Sequence, residues 1–237
     1  MALDDERSIF VVESEGGIRV SDIRKFLAEI EDAYNRVLLL LTLLDDLPRL
    51  ERSKGSSPFR TPLSDYGPLA IAAGGERKLV HFTKSSVASM VGRRQSLILK
   101  SVRLESPGSW KLIGVSDSLE VLRKYLNDRN ERRKDKQYRD VTDEEKRRLE
   151  NDLLRTRVLG ERVKVARELG ATEQDLAPLL DQLLYDPLDE LAIFQDRGLI
   201  TDVRVVGPDE ADIDVPPERD TPPLLDLNSK RKMRPEE

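Results

Sequence analysis

The sequence predicts an α+β protein: a small sheet packed by one long helix, followed by a charged helical hairpin or coiled-coil-like segment and a disordered tail. Three observations carry that expectation. Short β-branched runs occur near residue 10 and around residue 100, apolar residues over 21–46 recur at spacings of three and four, and the second half holds leucine seams separated by capping residues and breakers. On this reading residues 1–115 form a small α+β domain with an irregular loop at about 49–68. Residues 116–200 form a charged helical region, and 201–237 a short strand and then a Pro- and acid-rich tail.

Taken in order, residues 9–12 are β-branched or aromatic and stop at Gly16-Gly17, and Ile18-Arg19-Val20 resumes an extended pattern, so a small hairpin is expected. Ser21 stands where an N-cap belongs, with Asp22 in the first turn, and the helix should end near Asp45-Asp46-Leu47-Pro48. Residues 37–41 are apolar on every side, which requires cover nearly all round. Residues 69–73 and 79–82 read as two short strands. Over 96–105 an imperfect alternation puts Leu97, Leu99, Ser101 and Arg103 on one face and Ile98, Lys100, Val102 and Leu104 on the other, so one face is expected to be only partly buried. Ser106-Pro107-Gly108 ends that strand, and Trp110, Leu112 and Ile113 then supply an apolar edge to press back on the sheet.

From Ser116 the pattern is helical. Leu119, Leu122 and Leu126 make a short stripe, and 127–140 follows as a mixed-charge helix solvated on most faces. Thr142-Asp143-Glu144-Glu145 reads as a capping box opening a helix that Gly170 closes. Thr172 with Asp175 opens the next, Pro187 breaks or restarts it, Gly198 ends it, and 203–206 forms a last strand.

Composition excludes several kinds of chemistry. The chain has 237 residues and no cysteine, which removes disulfides, thiolate zinc sites, iron–sulfur clusters and cysteine nucleophiles. Hydrophobic residues are 38% of it and charged residues 36%, so part of the chain is expected to lie outside any core. The formal charge of −5 signals neither a nucleic-acid nor a membrane partner, and no apolar run approaches the about 20 residues of a spanning helix. With an acidic N-terminal stretch in place of a basic leader, the expectation is a cytoplasmic protein.

Catalytic candidates are few. His81 is the only histidine, which excludes any site needing two, and there is no G-x-S-x-G elbow, Walker spacing or EF-hand loop. Asp209, Glu210, Asp212 and Asp214 read as a solvated acidic stretch, and Asp45-Asp46 as carboxylates facing water. Leu224-Leu225-Asp226-Leu227 has the form of a short linear motif. The expectation is therefore a protein without cofactor, metal or catalytic residues.

The stretches Ile18-Arg19-Val20-Ser21-Asp22-Ile23-Arg24-Lys25-Phe26-Leu27, Ser101-Val102-Arg103-Leu104-Glu105-Ser106-Pro107-Gly108, Tyr125-Leu126-Asn127-Asp128-Arg129 and Asp186-Pro187-Leu188 resemble those of uncharacterised bacterial proteins. In these a strand–helix–strand module leads through an S-P-G turn into charged helices. The resemblance spans roughly residues 18–200 and implies bacterial origin and architecture, with no catalytic residue.

The function expected from all this is a non-enzymatic interaction or self-association module acting through helical surfaces, of the kind an adaptor in bacterial signalling or defence would use. Its partner-binding candidates are Val37, Leu40, Leu41, Leu44, Leu149, Leu153, Leu180 and Leu184, because the strands offer too little apolar surface to shelter them. The partner is then another protein or a second copy. The alternative is nucleic-acid binding through Arg129, Arg132, Arg133 and Lys136, with salt-dependent affinity. A third possibility is an enzyme using His81 with a carboxylate, or a site at residues 106–110.

Overall fold

The structure, a computed structural model, describes residues 6–15, 18–54, 82–104, 107–134 and 151–207, apart from the side chains of 50–54 and 132–134. Strand β1 (Arg7–Ser14) leads into helix α1 (Val20–Lys54). After α2 (Lys84–Met90) come β2 (Ile98–Arg103), β3 (Gly108–Val115) and α3 (Ser116–Lys134). The remainder is α4 (Arg157–Glu168), α5 (Glu173–Leu180), α6 (Asp186–Asp196) and β4 (Asp202–Val206). The fold is α+β as the sequence predicts, with a four-stranded antiparallel sheet in the order β2-β3-β1-β4.

β1 is a central strand, not one arm of a local hairpin with residues 18–20. Its run Ile9-Phe10-Val11-Val12 is buried on both faces, which is why it shows no alternation. Phe10 and Val12 face the helices in register with Leu112 and Trp110 of β3. Ile9 and Val11 face the other way and pack with Ile113 and Val206. Val20 begins α1 instead, its first turn closed by bonds from Asp22 and Ile23 to the Arg19 carbonyl. Trp110, Leu112 and Ile113, expected to follow a turn, lie within β3, so the S-P-G signal marks a hairpin between β2 and β3.

α1 is the axis of the molecule. It runs straight past the predicted stop, with Pro48 inside it. An interior proline removes one backbone bond, but Leu44 and Leu47 hold the flanking turn in the core. Along its length α1 packs against α2, α3, α4, α6 and the turn before α6, and Val37 to Leu41, the stretch that is apolar all round, is buried. One continuous core joins Phe10, Leu38 and Leu112 to Leu122, Leu159 and Leu184, so residues on both sides of position 115 share it.

Local signals in the second half read well. Gly170 closes α4 with φ 97°, Thr172 and Asp175 form a capping box, and Gly198 ends α6 with φ 75°. At Pro187 the α-helix restarts, as expected: α6 begins at Asp186 with the proline in its first turn, and a single π-helical turn, Asp181–Tyr185, joins it to α5 without a loop. The strands foreseen over 69–73 and 79–81, the capping box at 142–145 and the tail beyond 207 lie outside the described residues.

Candidate functional site

The leucines expected to await a partner are already covered. Val37, Leu40, Leu41, Leu44, Leu153, Leu180 and Leu184 are all buried in the one core of this chain, and Leu149 lies outside the described residues. The sequence-level estimate of surplus failed because it counted the sheet as the only shelter, whereas the helices shelter one another around α1.

The basic cluster fares similarly. Arg129, 14% exposed, turns inward onto the end of α6, where Nη1 donates to the Ala192 carbonyl and the Gln195 Oε1 and Nη2 reaches Asp196. That is a cation satisfying a helix C-terminus, which corrects its assignment to a phosphate-facing surface. Described residues 127–130 are part-buried against α6 and β4, not solvated on most faces. The side chains of Arg132 and Arg133, all of Lys136, and His81 lie outside the described residues. Asp45, expected to face water, instead takes two bonds at 2.8 and 3.0 Å from Arg162, whose Nη2 also reaches Asp117 at 2.8 Å. One guanidinium thereby ties α1, α3 and α4.

The structure assembles one ionic cluster that the sequence did not foretell. Lys84, at the start of α2, places Nζ 2.5 Å from Glu29 and 3.5 Å from Glu190, with Asp32 at 3.9 Å. Arg36 bonds Asp32 at 2.9 Å and the Gln182 carbonyl at 2.9 Å, and Gln182 accepts the Phe82 amide. Asp32, Arg36, Lys84, Gln182 and Glu190 rim a pocket of about 360 Å³ between α1, α2 and α6. Hydrogen bonding to Glu29, and then burial, pushes the Glu190 carboxyl up. For Glu29 burial also pushes upward, but bonds with Glu190 and Lys84 outweigh it and leave the group low. Burial opposes the Lys84 charge, yet Glu29 and its neighbours raise it overall. Glu29, Asp32 and Glu190 bring carboxylate oxygens within 4.8 Å of one another, the geometry a metal would need. The lysine ammonium already supplies the positive charge at their centre, so the cluster acts as an ionic clamp holding α2 to α1 and α6.

The surface that remains open is β2. All six of its residues are exposed, although the strand is apolar: Ile98 is 45% exposed, Leu99 43% and Val102 40%, and Leu104 just beyond is 65% exposed. Among the described residues the other exposed large apolar side chains, Val20, Met90 and Ile193, sit singly on three different helices. A bulge explains the faces. Leu99 is opposite Leu112, Ser101 opposite Lys111 and Val102 opposite Trp110, so Lys100 is the extra residue. The faces read from sequence therefore exchange beyond Lys100. Leu99 and Val102 share the helix-side face, while Ile98, Ser101 and Arg103 share the outer one. β2 hangs on the rest through β3 and through Tyr34, whose hydroxyl donates to the Gln95 carbonyl at 2.6 Å and accepts the Val115 amide at 2.9 Å. No helix packs on β2 to an extent comparable with β3. A usable sequence signal existed: residues 92–104 combine five aliphatic and four basic residues with no acid, a two-sided pattern that a buried strand does not carry. No helix among the described residues is long and apolar enough to cross a membrane. No protein-family model matches the chain, and no similar curated protein or solved structure is found.

Proposed function

We propose that the chain is a non-enzymatic interaction module that receives an extended segment of another polypeptide along the free edge of β2, as an adaptor would. The observation that carries this reading is the exposure of all six residues of an edge strand, three of them aliphatic, in a chain whose other described strands and helices have most of their apolar side chains covered. An edge strand presents alternate backbone N–H and C=O groups outward, and pairing them with a guest strand is a recurrent mode of peptide recognition. Leu99 and Val102 add side-chain contact on the helix-side face. The helices are then scaffold, and the partner role that the sequence assigned to their leucines moves to the sheet.

Amide hydrogen exchange on the full chain tests this, using a capped peptide of about ten residues that alternates Val with Thr as a neutral strand probe. Slowed exchange within Ile98–Arg103 at saturating peptide, with α3 unaffected, is the expected result. Unchanged exchange across β2 at every peptide concentration overturns the proposal.

A further inference from the structure

The occupant of the edge can be named, and this inference rests on the strand-addition reading just given. The sheet ends in β2 on one side and β4 on the other. α3 lies against β4, whereas all of β2 is exposed. A two-fold contact through β2 uses the open edge of each molecule and leaves only covered edges outside, so it closes at two copies.

The bulge makes β2 complementary to itself. In a regular strand the faces alternate residue by residue, so antiparallel pairing of six residues with the same six sets one face against the other. The extra residue at Lys100 removes that mismatch. Ile98 shares the outer face with Arg103, and Leu99 shares the helix-side face with Val102. About a two-fold axis normal to the sheet, Leu99 then meets Val102 of the second copy, Ile98 meets its Arg103, and Lys100 meets its Ser101. Each pair recurs across the axis. Leu97 and Leu104, just outside the strand, come opposite each other in the same register. An ordinary guest offers one residue where β2 has two, and a second copy offers two.

The charges tolerate this register. No cation of the strand stands directly opposite another: Arg103 lies against Ile98, along which its aliphatic stem packs. Arg93 and Arg94 belong to the turn before β2 and fall beyond the paired residues. Leu99, Val102 and Leu104, exposed in the single chain, gain cover from their counterparts across the junction.

We infer that the strand received by β2 is β2 of a second copy, antiparallel about a two-fold axis, so that two four-stranded sheets become one. The contact is small, since about six residues of each chain meet, and contacts at the low end of the size range are transient. Dimerisation therefore depends on concentration.

Sedimentation equilibrium on the full chain should show monomer below about 1 µM and mostly dimer by about 200 µM. In the same samples β2 amides should exchange several-fold more slowly at the high concentration, with β4 amides unchanged. The chain has no cysteine, so single cysteines report the register. Directly opposed strand residues have Cα atoms about 4.5–5.5 Å apart, within disulfide reach. A mixture of the Leu99→Cys and Val102→Cys variants, both at exposed positions, should therefore cross-link under mild oxidation about tenfold or more faster than either variant alone. In either alone the two sulfurs stand about 10 Å apart along the strands. A monomer at every concentration up to about 500 µM, with the Val–Thr peptide still protecting β2, overturns the second copy and leaves strand addition standing. A dimer whose β2 amides exchange as in the monomer, or equal cross-linking in all three samples, also overturns it. Protection of β2 by neither peptide nor concentration overturns strand addition itself.

Discussion

The sheet has two edges, and they are finished differently. β4 is shorter, yet α3 runs beside it: Asn127 Nδ2 donates to the Val203 carbonyl at 3.2 Å and Asn130 Nδ2 to the Thr201 carbonyl at 2.8 Å. Val203 is buried and β4 carries no exposed large apolar side chain. β2 is longer and leaves its aliphatic side chains exposed, and it has a bulge where β4 has a helix. Both devices answer the same problem, since an unpaired edge invites another chain. Covering an edge closes it to everything. Charging an edge disfavours only partners of the same sign.

The largest expected effect probes how β2 is attached. A methyl group at Gly114 would sit 2.7 Å from the Tyr34 ring, so Gly114→Ala must displace the tyrosine that bridges Gln95 to Val115. Urea denaturation should show a loss of about 1–3 kcal/mol, as overpacking usually costs. Next comes the covered edge. Asn127→Ala with Asn130→Ala removes one donor to the Val203 carbonyl of β4 and one to the Thr201 carbonyl just before it, for about 1 kcal/mol each, and β4 amides should exchange faster while β2 amides do not. Equal acceleration at both edges would break the contrast. Smaller still, Leu99→Thr with Val102→Thr should change stability by less than about 0.5 kcal/mol per site, because both positions are exposed, while weakening peptide binding. The smallest effect is a control remote from both edges. Glu190 has its carboxyl raised, so its contribution is full below the unfolded-chain glutamate value and fades as pH rises through its own. Glu190→Gln keeps a neutral donor toward Glu29, so the variant should match the parent in acid and hold stability slightly better at neutral pH, read as urea midpoints against pH. Its edge amides should exchange as the parent's do.

Much of the fold was legible because local rules dominate it. The 3.6-residue period of α1, the caps at Thr172 and Gly170 and the β-branched run of β4 each depend on a few adjacent residues. What was illegible depends on distant partners. β1 reads as an isolated hairpin arm until β3 and β4 flank it, and Pro48 reads as a stop until Leu44 and Leu47 are seen to be anchored. The ionic clamp joins Glu29, Lys84 and Glu190 across three helices, and no spacing announces it. The edge was half legible. The absence of acid over 92–104 is plain, but the bulge that assigns the faces comes only from pairing with β3.

That bulge has a further effect on how far pairing can spread. A newcomer meets Leu99, then two residues where its own register offers one, then Val102. Its hydrogen-bond ladder must break at Lys100, so the edge is a flawed template that seats a short guest and resists indefinite copying of itself. Deleting Lys100 would restore a regular strand without changing which side chains point inward. The resulting chain should bind guests along a longer ladder and lose solubility in proportion, which suggests that one inserted residue separates recognition from fibril growth.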